Sequence, residues 1–103
     1  MRTYTLALGA TGRYFKLYGE AGLAIQKRIL GHLVGYYAVE VGALNQVIHL
    51  WAYDNMEERA RRRAALWADE GWLAYVAQVG GLVTKQENQI LTPAPFFAVP
   101  APA

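Results

Sequence analysis

The chain has no cysteine and no serine, few charges and no long apolar run. Each absence closes a line of chemistry. Without cysteine there are no disulfides, no thiolate nucleophile and no sulfur ligand for a metal. Without serine there is no hydroxyl nucleophile set on a glycine-flanked elbow. No apolar stretch approaches the roughly 18 residues of a membrane span, so no membrane partner is expected. Charged residues are only 17% of the 103 residues, which favours burial of some surface at an interface. Proline is missing from the body of the chain: Pro93, Pro95, Pro100 and Pro102 all fall in a closing tail, 93–103, expected to be extended and poorly packed.

What is present describes one compact domain over 1–92, with hydrophobic residues at 54%. The net charge of +2 is concentrated at Arg59, Arg61, Arg62 and Arg63. One helical turn holds most of the excess. A nucleic-acid surface spreads its cations over a face among aromatics, so no nucleic-acid partner is expected. Arg2–Leu6 alternates as a strand and lacks a secretory apolar block, which points to a cytoplasmic location. Gly9-Ala10-Thr11-Gly12 lacks the third glycine and the lysine of a phosphate loop. His32 and His49 have no metal-ligand spacing, so no metal and no cofactor are implied.

Periodicity lays out strand, helix, strand, strand, helix, strand. Arg2–Leu8 is a strand, and 13–30 a helix bent or broken near Gly19 and Gly22, with Phe15, Tyr18, Ile25 and Ile29 on one side. Gly31 stops it. His32–Val41 and 45–53 form a hairpin across Gly42-Ala43-Leu44-Asn45. Asp54 with Glu57 has capping-box spacing and opens a helix with an apolar line Met56, Ala60, Ala64, Trp67. Asp69 caps a further helix holding Trp72, Tyr75, Val76 and Val79, ended by Gly80-Gly81. Leu82–Thr92 is the last strand. This order is the α+β, ferredoxin-like βαββαβ pattern with a four-stranded antiparallel sheet.

The stretch 45–53 has two apolar faces. Ile48, Leu50 and Ala52 form an aliphatic core face. Val47, His49, Trp51 and Tyr53 form an aromatic face too apolar for water. With helices on the aliphatic face, the aromatic face is bare. Two copies packed sheet to sheet cover it, giving a homodimeric α+β barrel with a lumen between subunits.

A hairpin loop of two or four residues sets Glu40 opposite Val47, Ala38 opposite His49 and Tyr36 opposite Trp51, with Glu40 diagonal to His49. A loop of three residues changes the parity. On the first register His49 and Glu40 are a candidate acid–base pair, the carboxylate raising the imidazole's pKa toward working pH. Tyr36, Trp51 and Tyr53 line a small-molecule cavity. Of Arg61, Arg62 and Arg63, at least one reaches solvent, Glu57 and Glu58 pair with Arg61 and Arg62 at i,i+4, and one can turn inward to an anionic ligand or to Glu40. Three functions remain open: binding of a small, largely apolar molecule with a polar handle, cofactor-free oxygenase or isomerase chemistry with His49 as base, and a structural module with a filled barrel.

Arg2-Thr3-Tyr4-Thr5-Leu6, the 42–53 run with Gly42, Leu44, Asn45, Val47, His49, Leu50, Trp51 and Tyr53, Arg61-Arg62-Arg63-Ala64, and 86–93 resemble the NIPSNAP family across nearly the whole chain. The resemblance implies a ferredoxin-like domain pairing as a dimeric α+β barrel. It implies no activity, since small members of the family lack an assigned one. Glu40, His49, Trp51, Tyr53 and the arginine cluster match its recurring positions.

Overall fold

The computed structural model describes residues 1–102. Its elements are β1 (Arg2–Leu6), α1 (Thr11–Leu17), α2 (Leu23–Leu30), β2 (His32–Ala38), β3 (Gln46–Ala52), α3 (Met56–Trp67), α4 (Glu70–Val79) and β4 (Val83–Asn88). The strands form one antiparallel sheet in the order β2-β3-β1-β4. The order expected from the sequence is thus observed, with the second helical region divided in two, as βαββααβ.

Local chemistry explains the boundaries. Gly19 and Gly22 do not break the first helix. The backbone widens into a π-helical turn at Tyr18–Gly22 that joins α1 to α2. Gly31 ends α2 with φ +93°, a conformation that favours glycine. Asn55 rather than Asp54 caps α3, its side chain accepting from the Glu58 amide at 2.8 Å. The capping-box spacing is therefore Asn55 to Glu58, one residue later than expected. Asp69 caps α4 as expected, accepting from the Trp72 amide at 2.9 Å. The line Met56, Ala60, Ala64 and Trp67 does not face the core. All four are exposed, and α3 buries Leu66 instead.

The hairpin loop is longer than the sequence reading allowed. It runs over 39–45, using Gly42 at φ +135° and Asn45 at φ +58°. Tyr36 consequently pairs with His49 and Ala38 with Val47, a shift of two residues that preserves the parity of the faces. A bulge between Leu33 and Gly35 then brings Leu33 opposite Trp51.

The parity holds but the faces are exchanged. Val47 and His49 lie under the helices, packed with Leu6, Tyr14, Tyr18, Leu30, Leu66, Trp72, Tyr75 and Val79. Ile48, Leu50 and Ala52 occupy the opposite side, in rows with Tyr37, Thr3 and Glu87 and with Gly35. The helix-free face is therefore the aliphatic one, and the aromatic face cannot line a lumen between two sheets. After β4, Gln89 is held by reciprocal 2.8 Å bonds with Met1, and Phe97 and Val99 fold back over the end of the sheet. Every described residue from 89 onward is nonetheless exposed, Phe96 at 92%.

Candidate functional site

Strand β3 places His49 at the centre of an aromatic layer. Its ring stacks on Tyr36 (centroids 4.6 Å, planes 11° apart) and meets Tyr4 edge-on at 4.9 Å. Trp51, two residues along the same strand face, donates its indole N–H to His49 Nδ1 at 2.7 Å. An indole nitrogen can only donate, so Nδ1 is the unprotonated nitrogen and the neutral ring carries its proton on Nε2. Nε2 is buried and finds no partner among the described residues. Burial first, then the positive charges of Arg2, the N-terminus and Arg63, push the His49 pKa down to about 3. The imidazole is therefore a neutral N–H donor, and the expected upward shift toward working pH is not found.

Glu40 accounts for part of that difference. It lies in the 39–45 loop, exposed, and the register sets Tyr36 beside His49 instead. No hydrogen bond or ion pair joins Glu40 to His49 among the described residues.

The helices supply polar partners from aromatic tips. Tyr14 and Tyr36 share a hydroxyl–hydroxyl bond of 2.6 Å, and Tyr18 donates to Gln26 Oε1 at 2.6 Å in the buried layer. Burial holds the phenols of Tyr14, Tyr18, Tyr36 and Tyr75 above the usual tyrosine range, so all are protonated donors at neutral pH. The Tyr75 hydroxyl stands close enough to Tyr14 to affect its ionisation, yet no hydrogen bond closes between them. The Trp72 indole N–H is likewise buried without a partner.

The three arginines separate. Arg61 is exposed. Arg62 forms the i,i+4 pair with Glu58 at 2.7 Å and donates to the Ile29 carbonyl at 3.2 Å, closing the last turn of α2. The Glu57–Arg61 pair is not formed among the described residues. Arg63 turns inward beside Tyr53, where burial and then the charges of Arg2 and Arg59 lower its pKa. Of the candidate ligand contacts, the structure thus brings Tyr36, Trp51, Tyr53 and Arg63 to cavities and leaves Arg61 and Arg62 outside them.

Two cavities open here. The larger, about 550 Å³, is lined by Trp51, Tyr53, Val34, Leu50, Met56 and the 89–99 segment, with Arg2, Arg59 and Arg63 around it. The smaller, about 120 Å³, lies between sheet and helices within one protomer and is lined by His49, Trp72, Tyr75 and Tyr36 among others. Arg2 and Arg63 border both. No group of three or more metal-ligating side chains forms among the described residues. Likewise, no helix there is long and apolar enough to cross a membrane.

The sequence reading missed Arg2, Tyr4, Tyr14, Gln26, Trp72 and Tyr75 as members of this region. A signal was present: Tyr14 and Tyr18 at i,i+4 and Trp72 and Tyr75 at i,i+3 put polar-tipped aromatics on single helix faces.

The NIPSNAP family's sequence model matches residues 1–98. A putative NipSnap protein of Caenorhabditis elegans is 33% identical over 96 residues, 93% of this chain and 18% of its own length. The Dictyostelium discoideum NipSnap homologue is 30% identical over 93 residues, 41% of its own length. The chain thus spans less than half of either of these curated relatives. Among solved structures, a NIPSNAP family protein of unknown function from Agrobacterium tumefaciens superposes with a TM-score of 0.93 at 42% identity, covering 95% of this chain and 88% of that one. An uncharacterised NIPSNAP-like domain protein from Burkholderia xenovorans gives 0.94 at 39% identity, covering 98% and 88%.

Proposed function

The chain belongs to the NIPSNAP family, and from that premise we propose that it binds a small, largely apolar molecule carrying an anionic group, within one protomer rather than between two sheets. The observation that carries this reading is the larger cavity. Its wall is mostly apolar and aromatic, yet Arg2, Arg59 and Arg63 border it against a single carboxylate, Asp54, which pairs with none of them among the described residues. Partly buried guanidinium groups without counter-ions favour an anion arriving with the ligand. The low basicity of His49 supports binding over proton abstraction, because a base this weak has little driving force near neutral pH.

Decanoate and decanol separate charge from apolar burial. Titration calorimetry should show saturable decanoate binding, weaker decanol binding, and a loss of about tenfold for decanoate in Arg63→Gln. Equal affinity for the acid and the alcohol, or no binding of either, removes the reading.

We further propose that a second copy covers the helix-free face of the sheet. Ile48, Leu50 and Ala52 are aliphatic with no cover from their own helices. On the β4 side of that face Lys85 and Glu87 pair with each other at 3.4 Å, so no net charge there opposes a two-fold related copy. Light scattering on the eluting protein should give twice the chain mass.

A further inference from the structure

We propose that the smaller chamber, between the sheet and the helices, is a carboxylate site for a short organic acid, held by the N–H groups of His49 and Trp72. Its two donors, His49 and Trp72, do not border the larger cavity, so it stands if the decanoate reading fails, although Arg2 and Arg63 border both.

Two donors in the chamber wall lack acceptors among the described residues. His49 Nε2 and Trp72 Nε1 are buried and unpartnered among the described residues. Both border this chamber. His49 is 1% exposed and Trp72 6%, so bulk water does not serve them. An unmet buried donor is costly, and a native structure normally satisfies it with protein, water or ligand. The chamber's volume, about 120 Å³, is well above the ~15 Å³ a single water needs.

Water is a poor match for this wall, because each molecule must also donate two protons. The side-chain acceptors here already receive hydrogen bonds: Gln26 Oε1 from Tyr18, Gln86 Oε1 from Arg2 and the Tyr4 hydroxyl from Arg2. Each retains a second lone pair, and the Tyr75 hydroxyl is unengaged among the described residues. In the Tyr14–Tyr36 pair, one hydroxyl must accept, which leaves its own proton to give onward. The wall thus sets two N–H groups that can only donate beside acceptors that are already engaged once. Its charge has one sign, since Arg2 and Arg63 border the chamber and no Asp or Glu does. A guest with acceptor lone pairs, no protons to give and a negative charge fits these terms. A carboxylate is such a group, and the space admits only a few carbons behind it.

Nitrogen-labelled protein gives one indole cross-peak for each of Trp51, Trp67 and Trp72, and Trp72→Phe identifies the last. Titration with sodium propionate, against sodium chloride at equal ionic strength, should shift the Trp72 cross-peak saturably in the millimolar range. The backbone amide of Leu44, exposed in the hairpin loop and away from the chamber, should move much less. Trp72→Phe should weaken propionate binding at least fivefold while leaving decanoate binding in the larger cavity within twofold. If that variant does not fold, the wild-type titration still decides. An unmoved Trp72 signal overturns the proposal and leaves the chamber to water, and an equal response to chloride overturns its carboxylate selectivity.

Discussion

The two faces of β3 differ in a way that hydrophobicity does not predict. One carries Val47, His49 and Trp51 under the helices, and the other carries Ile48, Leu50 and Ala52 with no helix over it. By transfer free energy the aliphatic face is the better core. The molecule buries the mixed one instead, because partners for its polar atoms come with it. Trp51 satisfies one nitrogen of His49, Tyr14 satisfies Tyr36, and Gln26 satisfies Tyr18. Once those bonds are made, the aromatic rings contribute large buried area with part of the polar cost offset, His49 Nε2, Trp72 Nε1 and the Tyr75 hydroxyl excepted. The aliphatic face, which needs no specific partner, is the one left for a second copy to cover.

The strongest test of this contrast changes adjacent residues to the same charge. Val47 is fully buried, and Val47→Asp places a carboxylate where no cation or water reaches it, so the protomer should fail to fold. Ile48→Asp should leave helical circular dichroism intact and convert the proposed dimer to monomer. Circular dichroism and light scattering on both variants decide it. Unfolding of both, or dissociation of neither, breaks the distinction between the faces.

Much of the fold was legible because it depends on local signals. Period-two alternation marks the strands, Gly31 and Asp69 mark helix ends, and the strand–helix order implies the sheet. The assignment of faces was not legible, because it is set by what the helices bring. The expected apolar line of α3 illustrates this: Met56, Ala60, Ala64 and Trp67 lie outward, while Arg62 and Arg63 lie partly buried on the inner side. Their long stems cover apolar surface as well as carrying charge. Within the site, His49, Trp51, Tyr36 and Tyr53 could be named from one strand pair. Tyr14, Trp72 and Tyr75 come from distant elements and enter only through tertiary packing. Glu40 lies diagonal to His49 only in the expected register, and the observed one is shifted by two residues.

The state of His49 sharpens the comparison by a smaller amount. In the unfolded chain a histidine gains its proton near pH 6.5, whereas in the folded protein it stays neutral down to about 3. Stability from this group is therefore complete above pH 6.5 and falls as pH drops from there toward 3. The slope is ~1.4 kcal/mol per pH unit, or about 2 kcal/mol between pH 6.5 and pH 5. Urea midpoints at the two pH values measure it. His49→Gln should be less stable at neutral pH, yet it should lose most of this acid slope. A slope retained in full would assign the acid sensitivity to other groups.

The smallest test concerns how tightly the helical cover fits the closed face. Gly19 and Gly22 both lie in the π-helical turn, but only Gly22 is buried. A Cβ at Gly22 would stand 2.9 Å from Tyr18 Cδ1 and 2.9 Å from Tyr75 Cζ, closer than carbon atoms pack. At Gly19 it would meet nothing within 4 Å. Alanine gains up to ~1 kcal/mol over glycine in helical backbone, so Gly19→Ala should be neutral or slightly stabilising. At Gly22 the same gain is outweighed by overpacking of about 1–3 kcal/mol, for a net loss of about 1–2 kcal/mol in thermal or urea unfolding. Because the displaced ring is Tyr75, Gly22→Ala should also disturb the chamber beneath, moving the Trp72 indole signal that Gly19→Ala leaves in place. Equal behaviour of the two alanines would mean that the aromatic cover yields readily, and that the closed face owes its burial to area more than to fit.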